Sequence, residues 1–80
     1  MELNKIFGAV LREYRDERGL SQEKLAELSE LERTFISFLE RGERQPSLTT
    51  IFKIAKALDI SATQLVSSVE ARIQAEQKAK

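Results

Sequence analysis

Residues 21–44, SQEKLAELSELERTFISFLERGER, constrain the fold more than any other stretch, because they encode two short amphipathic helices joined by a tight turn. Ser21 is placed to cap the first helix, its hydroxyl accepting from a free backbone N–H of the next turn. Leu25 and Leu28 share a face at i, i+3 with the small Ala26 beside them, and Leu31, Ile36 and Leu39 make the apolar face that follows the turn. Helices this short are unstable alone, so they must cross closely over a shared core, with Ala26 as the natural contact point. The second helix keeps an outward set, Arg33, Thr34, Ser37, Phe38 and Arg41, that is long, cationic and hydrogen-bonding at its start. Such a helix fits the major groove of B-DNA, where each base pair presents a distinct pattern of donors and acceptors.

The same periodicity predicts three further helices. Leu3, Ile6, Phe7, Val10, Leu11 and Tyr14 form a helical stripe over about 3–18, which Gly19 ends. The two helices of the central segment are expected over 22–29 and 33–41, the second closed by Gly42. Pro46 marks a loop over 43–47. Ser47 then caps a helix over 48–58, with Leu48, Ile51, Phe52, Ala55 and Leu58 expected inward. Ser61 and Gln64 form a capping box that opens a last helix over 62–77, whose Leu65 reaches the core and whose polar end, from Gln74 on, is expected to fray. No strand signal, internal repeat or low-complexity linker interrupts the pattern. The expected fold is all-α: five helices in one bundle, a single domain over residues 1–80.

Composition narrows the function. The 80 residues contain no cysteine and no histidine, so disulfides, thiolate metal sites and the commonest general base are missing. The carboxylates lie on helix exteriors and near turns with no convergence, and neither a phosphate-cradling glycine loop nor metal-ligand spacing occurs. An enzyme is therefore a poor reading, and no cofactor, metal or small-molecule ligand is expected. No apolar run approaches a membrane span and no cleavable leader is evident, so the expected location is the cytoplasm. Net charge is zero, from 13 basic and 13 acidic residues. The charges are segregated: six acidic against two basic from Asp16 to Glu32, then five basic against two acidic from Arg33 to Lys56. A neutral chain can thus carry a basic face suited to phosphate.

The run from Leu11 to Leu65, LREYRDERGLSQEKLAELSELERTFISFLERGERQPSLTTIFKIAKALDISATQL, resembles the lambda-repressor-like helix-turn-helix family, also called the XRE family of bacterial and phage regulators. GLSQEKLA, ISFLERG and PSLTTIFKIAKALDI are each common, but their order and spacing together are specific. Length and the ERTFIS segment are most similar to the controller proteins of restriction-modification systems, small dimeric transcription regulators. The resemblance implies double-stranded DNA as partner, no enzymatic activity and a homodimer on a palindromic operator. A protein-interaction module on the same bundle, such as an antitoxin or bridging factor, is the alternative that neutral charge and an outward Phe38 keep open.

By the same resemblance, Gln22 matches a glutamine that anchors to a phosphate at the start of the first helix of the motif, where free N–H groups and the helix dipole assist. Arg33 and Thr34 open the second helix and are the best candidates for reading bases, arginine by forking onto guanine and threonine by its hydroxyl and methyl. Their plainer alternative is a solvated turn with Arg33 paired to Glu30 or Glu32. Ser37 can bond a base or a phosphate. Phe38, where the family often has a small or polar residue, can pack on thymine methyls or fold back onto the following loop; Phe35 is expected to buttress the helix edge near the DNA backbone. Arg41, Arg44 and Gln45 should follow the sugar-phosphate chain, with Glu40 and Glu43 as possible neutralisers of Arg41. Arg12, Arg15 and Arg18 are expected to be solvated, with partners within their own helix. Glu30 stands where the turn often has glycine, so the turn is expected to be reshaped, and Glu32 replaces the usual cap. Val66, Val69 and Ile73 form a second stripe on the last helix, either packing on the first helix or forming, with Phe52, a seam between two copies.

Overall fold

A computed structural model describes residues 2–78. Its helices are α1 (Leu3–Glu17), α2 (Gln22–Ser29), α3 (Arg33–Glu40), α4 (Leu48–Ala57) and α5 (Ala62–Lys78). Local chemistry sets their ends. The Ser21 hydroxyl accepts from the Lys24 N–H at 3.0 Å, Ser47 from Thr50 at 3.1 Å and Ser61 from Gln64 at 2.9 Å. These three caps satisfy donors that the opening turns of α2, α4 and α5 cannot satisfy internally. The helical stretch of α5 runs to Lys78, one residue past the expected end, and residues 79 and 80 lie outside the described part.

Four helices stop in the same way, with a left-handed residue whose successor donates back five residues. Leu20 donates to the Arg15 carbonyl at 3.1 Å, Leu31 to Ala26 at 2.9 Å, Glu43 to Phe38 at 2.9 Å and Ile60 to Ala55 at 3.0 Å. Gly19 and Gly42 take the left-handed position in two of these motifs, but Glu30 and Asp59 take it in the others, with φ of 60° and 59°. The turn between α2 and α3 is therefore not reshaped by the missing glycine. Glu30 adopts the glycine conformation, at a cost of roughly 1 kcal/mol, and the closing hydrogen bonds hold it there.

Five elements share one core. Leu11, Leu25, Ile36, Leu39, Ile54, Leu58 and Leu65 are fully buried, each contributing about 1.5–3 kcal/mol of transfer free energy. α1 packs on α3 and α5, α2 on α3 and α4, and α4 on α5. Ala26 is buried where α2 meets its neighbours, as its size suggests. Several expected core positions differ. Leu28 is exposed because Ser29 takes the buried position one turn after Leu25, its hydroxyl satisfied by the Leu25 carbonyl at 2.7 Å. In α4 the inward side belongs to Thr50, Ile54 and Ala55, with Leu58 just beyond the helix, whereas Leu48 and Phe52 stay 70% and 59% exposed on a flanking stripe.

Val69 packs into the core of its own chain and leaves only an edge on the surface groove lined by Leu3 and Val66. Ile73 is half-buried against that core, whereas Val66 remains exposed. Polar pairs fasten α5 to α1: the Tyr14 and Ser68 hydroxyls lie 2.6 Å apart, and Arg72 donates to both Glu13 carboxylate oxygens at 2.7 and 2.6 Å.

Candidate nucleic-acid interface

The interface is built on α3, and α3 is held by its last residue. Glu40 is half-buried overall, but its side chain keeps only 4% of its surface exposed, and it faces Arg15, whose side chain keeps 11%. Arg15 donates through Nε to Oε2 at 2.6 Å and through Nη2 to Oε1 at 3.0 Å, while its Nη1 reaches the Leu20 carbonyl at 2.7 Å. Gln22 completes the cluster, donating from Nε2 to the same Oε1 at 3.0 Å. One carboxylate therefore ties α1, the start of α2 and the end of α3 together. The Glu40 bond raises the Arg15 guanidinium above its ordinary range, against the opposing effect of burial.

The expectation of a solvated Arg15 is overturned: it keeps Asp16 of its own helix at 3.6 Å, but its shorter, forked partner is Glu40 on another helix and its side chain is largely covered. Arg18 is exposed and keeps Glu17 of its own helix at 3.9 Å, but it also reaches across the bundle: its Nε donates to the Leu58 carbonyl at 2.6 Å, and its guanidinium lies 5.2 Å from the Tyr14 ring centre. Arg12 is exposed with Asp16 one turn on at 3.8 Å.

A second tie lies at Gly8. A Cβ at that position would collide with the Leu39 and Glu40 carbonyl oxygens, so only glycine lets α1 cross the end of α3 this closely. The sequence signal was an isolated glycine inside a clear helical stripe, which usually marks a packing contact.

From this fixed base the outward residues emerge in order. Arg33 and Thr34 are exposed at the first turn of α3, and among the described residues Arg33 forms no ion pair with Glu30 or Glu32. Glu32 occupies the cap position without a side-chain cap bond, so the first N–H groups of α3 face outward unblocked by it. Ile36 and Leu39 are buried and define the opposite face. Phe35 is half-buried against the core, packing at the edge of the helix as a buttress would. Gln22 is half-buried, its amide already committed to Glu40.

Past α3 the side chains close on one another. Arg41 donates to both Glu43 carboxylate oxygens, at 2.8 and 3.3 Å, and through Nη1 to the Ser37 hydroxyl. Glu43, not Glu40, is thus its neutraliser. That bond holds the Glu43 carboxyl below the usual carboxylate range and raises the Arg41 guanidinium. Phe38 folds back onto the loop, with the Arg41 and Arg44 guanidinium carbons 5.3 and 5.0 Å from its ring centre. Arg44 and Gln45 are exposed beside them. Arg33, Thr34, Ser37, Phe38, Arg41, Arg44 and Gln45 therefore run along one element and the loop it feeds.

No helix among the described residues is long and apolar enough to cross a membrane, and no group of acidic side chains among them is placed to hold a metal ion.

Residues 11–65 match the family model described as Helix-turn-helix. The control protein C.SmaI of Serratia marcescens is 43% identical over 67 residues, covering 84% of this chain and 80% of that protein. The control protein C.BamHI of Bacillus amyloliquefaciens is 45% identical over 62 residues, 76% of each. The crystal structure of the restriction-modification controller protein C.AhdI from Aeromonas hydrophila superposes with a TM-score of 0.76 at 50% identity, covering 78% of this chain and 94% of that one. With the same five-helix architecture and the motif at α2 and α3, the chain belongs to the helix-turn-helix family of transcription regulators and is related there to the restriction-modification controller proteins.

Proposed function

We propose that this regulator reads double-stranded DNA through α3 and the loop after it, acting as a homodimer on a palindromic operator and serving as the controller of a restriction-modification system. The observation that carries the reading is the exposed first turn of α3, Arg33 and Thr34, without an ion-pair partner among the described residues, on a helix whose far end is locked by Glu40 and Arg15. A reading head has to be rigid, because bidentate contacts to base edges tolerate little misplacement. Arg33 and Thr34 read bases, Ser37 meets a base or phosphate, and Arg41, Arg44 and Gln45 follow the sugar-phosphate backbone. Gln22 stays at the phosphate-facing start of α2, where its remaining donor and the helix N-terminus can serve an anion.

The dimer reading rests on an exposed apolar stripe. Leu48, Phe52 and Val66 are exposed around a groove floored by Ile51, and a neighbouring groove is lined by Leu3, Phe7 and Val66. Two copies joined there present two α3 helices, and half-sites on B-DNA recur about one helical turn apart. The whole described chain then acts as one DNA-binding unit. Selecting binding sites from random duplex tests the reading: an inverted repeat is the expected product, and an unenriched or single-copy site contradicts it.

A further inference from the structure

Arg41 and Arg44 follow each other around one turn, yet their situations differ. Each Arg41 nitrogen has a partner: Nε and Nη2 fork onto Glu43, and Nη1 donates to Ser37. Arg44 lies on the same Phe38 ring without a hydrogen-bonded partner among the described residues. The Glu43 backbone is tied at this place: its N–H closes the α3 terminus on the Phe38 carbonyl at 2.9 Å, and Gly42 donates to Leu39 at 3.1 Å. The carboxylate is thus delivered to Arg41 by the helix stop itself. A carboxylate forked by an arginine has the geometry of a forked phosphate, with two oxygens on two parallel N–H groups.

We propose that Glu43 is an internal stand-in for a DNA phosphodiester, filling the Arg41 fork in the free protein and yielding it to a backbone phosphate when duplex binds. The inference rests on the DNA-binding reading above. Phe38 keeps the released guanidinium beside that of Arg44, so that two cations face the backbone once the carboxylate leaves. The depressed Glu43 carboxyl agrees with the same pairing. Glu43 therefore opposes binding without regard to sequence, and that handicap is relieved equally on any duplex.

Glu43→Gln tests the exchange, with Glu32→Gln as the comparison. Both remove one exposed negative charge beside α3, but Glu32 has no arginine partner among the described residues. Binding of random duplex and of the selected site is measured at low and high salt for both variants and the parent. Expected is a gain for Glu43→Gln about two- to fivefold beyond that of Glu32→Gln on both duplexes, shrinking as salt rises. Equal gains at the two positions, or no gain at Glu43, overturn the exchange while leaving DNA binding intact. A parent protein that binds neither duplex removes the underlying reading and the exchange with it.

Discussion

Glu40 fixes the end of α3 to the rest of the bundle. Its carboxylate accepts from Arg15 of α1 and Gln22 of α2 while standing at the end of α3, so three helices meet on two oxygens. Glu40→Ala strands a largely buried guanidinium and should lower stability by about 2–3 kcal/mol, less than for a fully buried pair because the site keeps an edge in solvent. Chemical denaturation would register this as a lower midpoint at unchanged slope, and Glu40→Gln should recover part of it by keeping the amide in bonding reach. No midpoint change in Glu40→Ala would show that the cluster is ornamental. None of this was legible from the sequence. Local charge spacing finds Asp16, which does lie 3.6 Å from Arg15, but not the tighter fork onto Glu40, 25 positions away. Arg33 and Thr34, by contrast, were readable, because exposure at the start of a short helix follows from where Ile36 and Leu39 must point.

Helix ends were the most legible elements, since caps are local: Ser21, Ser47 and Ser61 each accept from the N–H three residues on. Helix faces were less so. In α4 the apolar residues cover too wide an arc for periodicity to choose among them, and packing against α2 and α5 selects Ile54 over Leu48 and Phe52. The turn after α2 was misjudged for a related reason. Propensity alone counts the left-handed strain at Glu30, but not the Leu31 to Ala26 bond that outweighs it. At the crossing of α1 and α3, Gly8→Ala gains helix propensity but forces a methyl against the Leu39 and Glu40 carbonyls. The clash should dominate, with a net loss of about 1–3 kcal/mol and an α3 displaced from its seat. Thermal unfolding together with α3 amide shifts would detect both, and a neutral or stabilising Gly8→Ala would refute the close crossing.

At the scale of the molecule, a chain of zero net charge suits DNA by separating its acidic and basic residues along the sequence, and the proposed pairing of two copies would add a second α3. The apolar stripe of Leu48, Phe52 and Val66 is what a monomer would leave in water. Phe52→Glu should leave the fold intact, since Phe52 takes no part in the core, yet shift sedimentation from twice the 9.1 kDa chain mass to the single chain. A parent protein that sediments as one chain at every concentration would contradict the pairing. The central claim, that the outward start of α3 senses base identity, is tested most directly by comparing Arg33→Ala with Arg44→Ala on the selected site, on its single-base variants and on random duplex. Arg33→Ala should lose about 1–3 kcal/mol on the selected site and become indifferent to one base pair of each half-site, while Arg44→Ala weakens every duplex alike and flattens the salt dependence. Equal loss by Arg33→Ala on selected and random duplex, with all base preferences retained, would contradict the account.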